Sequence, residues 1–294
     1  MADYPYPFTP KSILINGHRL SYLDEGTGPA IVMLHGNPSW SFYYRNLVQL
    51  LRDKYRVIVP DHLGCGLSDK PQDYPYRLEN HIHNLEVLLA SLELDSVSLV
   101  LHDWGGAIGM GYAGRHPQAI RSLTILNTAA FPSPRLPWRI GVCRIPLLGA
   151  LLVRGLNAFA GAAVWMAVRR PLAPEVRRGY LAPYDSWANR IATLRFVQDI
   201  PLAEDHPSWA ALRAVEAGLE QFRATPVRIF WGGRDFCFND QFYNEWRRRF
   251  PEAEATYFQE AGHYVLEDAG AEIGEMLAKF YDRVYGQSPT PSHG

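Results

Sequence analysis

Two periods alternate along the chain. Short alternating apolar runs at 12–15 and 19–24 flank Asn16-Gly17 and predict an opening antiparallel hairpin. An unbroken apolar run at 30–34 predicts a buried strand that ends at His35-Gly36. A helical period follows at 43–51, a strand at 56–60, a second helical period at 78–92 and a strand at 97–101. A helix from Gly105 to about His116 and a strand at 120–126 continue the order. Strands alternating with helices across short loops point to a mostly parallel sheet with helices on both faces.

The rhythm breaks after Asn127. The next hundred or so residues are rich in Ala, Leu, Pro and Arg, and their spacing is helical. Strand patterns return at 227–231 and 255–258, and a helix is expected at 271–281. The expected organisation is a core at 1–128, a helical cap at 129–224, the rest of the core at 225–286 and a disordered tail at 287–294. Such a cap roofs the cleft at the C-terminal ends of the strands, where open α/β sheets place their sites. Between 131 and 224 the chain holds twelve Arg, no Lys and seven acids. These arginines are read as a solvated outer face rather than as a site for an anionic partner.

Composition narrows the class. With 294 residues and 47% hydrophobic content, the chain can build one large domain or a domain with an insertion. A net charge of −1 gives no argument for nucleic acid. Cys65, Cys143 and Cys237 are an odd, scattered set, which suits a reducing compartment and shows no metal-ligand spacing. The N-terminus lacks the basic start and apolar core of a signal peptide. The most apolar uncharged stretch, 155–168, is too short for a membrane span and is flanked by arginines. A cytoplasmic protein without a membrane span is expected.

The segment 97–109 carries the chemistry. An apolar run ends abruptly, Asp103 stands at the corner, and Gly105 and Gly106 open a helix. This is the layout of a nucleophile elbow: a strand, a strained turn that presents one side chain, then a helix. The usual elbow presents Ser; here Gly105 fits the pattern and Leu101 departs from it. A carboxylate at the corner attacks a carbon that bears a leaving group and forms an ester on the enzyme. The plain alternative is an Asp that caps the helix.

Two more strand ends complete a candidate triad. Asp235 lies just past the strand at 227–231, and His263 just past the one at 255–258. The order nucleophile, acid, histidine is that of α/β-hydrolase triads. Asp235 would orient His263, and His263 would take a proton from water. The loop His35-Gly-Asn37-Pro-Ser-Trp40 follows a strand, and its backbone, with that of the residue after the nucleophile, would form the oxyanion hole. The side chains of Asn37 and Trp104 add an amide and an indole N–H for a leaving anion. His102 should point to the opposite face of its strand. His62, His81, His83 and His116 are read as core or surface residues. Gly64 and Gly66 are read as loop geometry rather than a phosphate cradle.

The motifs His35-Gly-Asn-Pro-Ser-Trp40, the segment 60–71, His102-Asp-Trp-Gly-Gly106 and Ala261-Gly-His263 resemble the haloalkane dehalogenase family of α/β-hydrolases over nearly the whole chain. The resemblance implies an α/β-hydrolase fold with an inserted helical cap. It also implies Asp103 as nucleophile, His263 as base, Asp235 as acid and Asn37 with Trp104 as the halide clamp, with no cofactor or metal. Some members carry the acid after the sixth strand; here 126–128 has no carboxylate. The segments 126–132 and 183–202 resemble the third subfamily, which merges with the β-lactone decarboxylases of bacterial long-chain olefin biosynthesis. That implies a small apolar, long-chain substrate, and a homo-oligomer or assembly with pathway enzymes. Apolar runs at 145–153 and 158–168 either line a site for two alkyl chains or serve helix packing, and both readings stay open. The reading leans to cis-β-lactone decarboxylation, with hydrolytic dehalogenation as the alternative. Epoxide hydrolysis stays open because Tyr180 and Tyr184 lie in the cap. A non-enzymatic ligand receptor would require an idle triad.

Overall fold

A computed structural model describes residues 3–286, so the tail expected to be disordered at 287–294 lies outside the described residues. An eight-stranded sheet runs in the order β1-β2-β4-β3-β5-β6-β7-β8. Its strands are β1 Lys11–Ile15, β2 His18–Glu25, β3 Ala30–Leu34, β4 Arg56–Pro60, β5 Val97–Asp103, β6 Ile120–Thr128, β7 Val227–Gly232 and β8 Glu254–Phe258. β1, β2 and β4 pair antiparallel, and the remaining pairs are parallel. The opening hairpin turns at Asn16 and Gly17, both with positive φ, as a tight two-residue turn requires.

Both faces of the sheet are covered. Every residue of β5 is buried. Leu99 and Leu101 pack on one side with α2 Leu78–Ser91, α3 Trp104–Arg115 and α9 Trp209–Gly218. Val100 packs on the other with α1 Arg45–Leu51 and α11 Val265–Gly286. Fully burying such a side chain contributes about 1.5–3 kcal/mol, so a strand apolar on both faces has one stable place, the middle of the sheet.

Between β6 and β7 no residue enters a strand. This stretch holds α4 Trp138–Arg144, α5 Leu148–Ala150 running into a π-helical turn at Leu151–Gly155, α6 Ala158–Met166, α7 Pro174–Leu181, α8 Ile191–Gln198 and α9. Two helices differ from the sequence reading. α10 Asp240–Arg249 was not anticipated, because it fully buries only Phe242 and Trp246 from a strongly polar stretch. α11 begins six residues earlier than expected, with Ala269 in a non-helical conformation that interrupts the period.

The chain order reverses at β3, since β4 lies on one side of it and β5 on the other. The C-terminal ends of β3 and β5 therefore open into the crevice where open α/β sheets bind ligands. Asn37 and Asp103 follow or end those two strands.

Candidate active site

Asp103 is the last residue of β5 and sits at φ 52°, ψ −126°, a conformation that costs free energy for any residue with a Cβ. The turn holds because its neighbours are small. A Cβ on Gly36 would lie 1.9 Å from Asp103 Oδ1, and one on Gly105 would lie 2.1 Å from the Leu34 carbonyl oxygen. Leu101, where the usual elbow has Gly, fits because Gly109 in α3 leaves it room: a Cβ there would lie 2.3 Å from Leu101 Cδ2. The Thr128 hydroxyl at the end of β6 donates to the Asp103 carbonyl and ties the elbow to the neighbouring strand.

Asp103 Oδ1 accepts the backbone N–H of Asn37 at 2.6 Å, and the Trp104 N–H also bonds the carboxylate. Oδ2 lies 3.8 Å from His263 Nε2. The other imidazole nitrogen, Nδ1, is 2.8 Å from Asp235 Oδ2, and Asp235 Oδ1 accepts the Cys237 N–H at 2.7 Å. The three residues named from sequence thus meet at the ends of β5, β7 and β8. Burial raises the Asp103 carboxyl, opposed by His263 and by the two N–H groups. Burial alone would depress His263, but the charge and hydrogen bond of Asp235, then Asp103, outweigh it and the imidazole titrates above its ordinary value.

The two candidate anion donors differ. Trp104 lines the cavity, and its indole N–H makes no hydrogen bond to a described residue. The Asn37 amide gives one hydrogen to the Thr193 carbonyl at 3.1 Å and keeps the other. His102 does face away from Asp103, stacked on Tyr43, but it has a task that strand alternation does not show. Its Nε2 donates to the His263 carbonyl at 2.9 Å, and burial holds the ring neutral. Phe238 stacks on the His263 ring. These contacts join residues far apart in the chain, and no local pattern announces them.

Above Asp103 lies a cavity of about 370 Å³, walled by Trp104, Phe131, Phe159, Met166, Val197 and Phe238 among other apolar groups. Asp103 is the one carboxylate in its lining among the described residues, and no tyrosine lines it. Tyr180 instead donates to Glu267, itself ion-paired with Arg45, and Tyr184 donates to the Ser39 carbonyl. Neither Tyr180 nor Tyr184 lines the cavity, so the feature that kept epoxide hydrolysis open is not found there. The apolar runs also divide. From 145–153 only Leu152 reaches the cavity, whereas 158–168 contributes Ala158, Phe159, Ala162, Ala163, Met166 and Ala167.

A family model described as the alpha/beta hydrolase fold matches residues 29–270. The chain belongs to the α/β hydrolase fold family. Within this family it is 50% identical to a cis-3-alkyl-4-alkyloxetan-2-one decarboxylase of Shewanella oneidensis, across 95% of this chain and 90% of that protein. A protein of the same name from Xanthomonas campestris pv. campestris is 45% identical, over 95% and 98% of the two chains. The crystal structure of a haloalkane dehalogenase from Agrobacterium tumefaciens C58 superposes with a TM-score of 0.86 at 26% identity, covering 97% and 99%. This α/β hydrolase is therefore an enzyme of the branch that holds those decarboxylases and dehalogenases.

Proposed function

We propose that this enzyme decarboxylates cis-3,4-dialkyl oxetan-2-ones, with Asp103 as the nucleophile. The observation that carries the reading is the 50% identity, across 95% of the chain, to a decarboxylase of that substrate class. The apolar cavity with a single buried carboxylate supports it. Asp103 Oδ2 attacks ring C4, the C4–O bond breaks, and the ring oxygen departs as a carboxylate still attached through C3. The C3–carboxyl electron pair then forms the C3=C4 double bond as the C4–Asp103 bond breaks. Carbon dioxide and an alkene leave, and the carboxylate is restored. No proton or water is consumed. Attack at C4 is favoured over attack at the carbonyl because it expels a carboxylate instead of an alkoxide. The Trp104 indole N–H, at the cavity wall and with no hydrogen bond to a described residue, is placed to receive that anion, whereas the backbone N–H groups of Asn37 and Trp104 are already on Asp103. Inversion at C4 followed by anti elimination converts a cis ring to a Z alkene.

Hydrolytic dehalogenation is the second reading, and the His263–Asp235 pair favours it, since the lactone route leaves that pair no proton to move. Here a halide leaves, water adds to Asp103 Cγ as His263 takes its proton, and the backbone N–H groups of Asn37 and Trp104 hold the oxyanion that forms on Oδ1.

The assay follows alkene by gas chromatography and bromide by titration. We expect the lactone to give alkene and carbon dioxide, with kcat/KM rising about fifteenfold for two added methylenes until the cavity is full, at about 0.8 kcal/mol each. Turnover in ¹⁸O-water should label the Asp103 carboxylate with a bromoalkane and leave it unlabelled with a lactone. Bromide release without any alkene overturns the proposal in favour of a plain dehalogenase.

The pH profiles should separate the two steps. Ester hydrolysis requires neutral His263, whose titration is raised. Bromoalkane turnover therefore falls as pH drops through a value above that of ordinary histidine. Ester formation requires only ionised Asp103 and persists to lower pH, where His263 is cationic and favours the carboxylate. Rapid-quench measurement of adduct against product checks this. Both limbs report the coupled pair rather than either residue alone. Coincident profiles for the two steps would remove His263 from the proposed role.

A further inference from the structure

The outer surface of the region between β6 and β7 presents apolar side chains to solvent. Leu147 is 87% exposed, Trp138 73%, Leu156 68% and Trp165 60%, with Leu148 and Leu151 beside them in sequence. Leu147 holds a positive φ of 62°, so the turn presents this leucine to water from a conformation that L side chains rarely adopt. The helices that carry these residues, α4, α5, the π-helical turn and α6, pack on one another in succession. Large apolar side chains left exposed on helices that pack in succession mark an interaction site.

Charge says what covers it. From 135 to 178 the chain holds eight arginines and one acid, Glu175. Among the described residues only Arg178 of the eight pairs with a carboxylate, that of Asp3. The Arg144, Arg154 and Arg177 guanidinium groups bond backbone carbonyls. Arg135, Arg139, Arg169 and Arg170 are exposed and have no carboxylate partner among the described residues. Each exposed tryptophan carries an arginine over its ring: Arg139 on Trp138, Arg177 on Trp165 and Arg154 on Trp187. Leucine and tryptophan side chains set among unpaired arginines are the composition of a surface that lies in the headgroup boundary of a bilayer. A second copy of the same face would bring like charge against like charge.

We propose that this face docks on an anionic phospholipid bilayer, with Leu147, Leu156 and the tryptophans entering the headgroup boundary and the arginines engaging lipid phosphates. No single helix among the described residues is long and apolar enough to cross a membrane. The segments Leu148–Gly155 and Ala158–Met166 together carry the apolarity of a span but are bent by 65°, and the inner face of the second lines the cavity. They therefore lie along the interface rather than through it. Arg135, Trp138, Arg139 and Ala158 are both exposed and part of the cavity wall, so docking sets the cavity opening against the lipid. Direct passage of a long-chain substrate or product between bilayer and site rests on the proposed function; the docking itself does not.

The test is cosedimentation of the full chain with vesicles of phosphatidylcholine alone and of phosphatidylcholine mixed with phosphatidylglycerol. Binding is expected to the mixed vesicles and to weaken as salt rises. Arg169→Gln with Arg170→Gln should bind about thirtyfold more weakly, by the loss of two charges near the surface. Leu147→Glu with Leu156→Glu should not sediment, while its thermal unfolding stays that of the parent because both side chains are exposed. Quenching of tryptophan fluorescence by lipids brominated near the headgroup should be lost in the same variant. Failure to bind mixed vesicles at low salt, or unchanged binding by the leucine variant, overturns the proposal. So do lipid-free oligomers that the leucine variant disperses and that do not bind vesicles, since the face would then belong to a second copy.

Discussion

Replacing Asp103 with alanine is expected to lower kcat by about 10⁶ on lactone and bromoalkane alike, the scale seen when a covalent nucleophile is removed. The residual rate should not depend on His263. The complementary variant, His263→Phe, keeps Asp103 and its two backbone donors. With a bromoalkane it should release one halide per chain and then stop, because nothing takes the proton from water. Intact-protein mass spectrometry should show the alkyl adduct in His263→Phe and none in the double variant that also carries Asp103→Ala. The geometry supports this separation of steps. Oδ1 is held by the Asn37 N–H at 2.6 Å, while Oδ2 faces the histidine at 3.8 Å. An adduct of equal yield without Asp103 would take the nucleophile away from the elbow.

Trp104→Phe should cost about 10²–10³ in kcat, or roughly 3–4 kcal/mol, the effect of deleting one donor aimed at developing charge. The substitution keeps most of the ring that packs against Phe196 and removes only the N–H. The loss should appear in kcat more than in KM, since the anion is absent from the bound substrate. Asn37→Ala should cost less, about tenfold, the loss of one partly committed hydrogen bond of about 1.4 kcal/mol. Its amide is already shared with the Thr193 carbonyl, and its backbone N–H survives the change. Full turnover by Trp104→Phe would place the leaving group elsewhere in the cavity.

Much of this arrangement was legible in the chain because short-range rules govern it. The buried strands read as apolar runs, and Asp103, Asp235 and His263 each fall at or shortly after the end of a strand. What escaped were contacts that depend on distant partners. His102 was rightly placed on the far face of β5, yet its bond to the His263 carbonyl spans 161 positions. The Arg45–Glu267 pair and its Tyr180 donor join α1, α11 and α7 across the molecule. Nor does composition tell an inward leucine from an outward one. For the run at 145–153 the sequence leaves lining the site and helix packing both open; in the fold Val153 turns inward while Leu147, Leu148 and Leu151 face solvent. Helical period gives a face; only the docked helix says which way it looks.

Asn127 has a consequence for how such a site can change. Its side-chain amide pairs with the end of β7 as another strand would, accepting the Gly232 N–H at 2.8 Å and donating to the Gly232 carbonyl at 3.0 Å. The pairing fixes the point from which the chain leaves toward Asp235. Aspartate at this position would retain the acceptor and lose the donor, so its second oxygen would confront the Gly232 carbonyl. A route by which the acid migrated from β7 to β6 through single substitutions would pass through an intermediate with a frayed strand end. In this chain the candidate acid therefore takes its place from a side chain on the neighbouring strand that is itself outside the cavity lining.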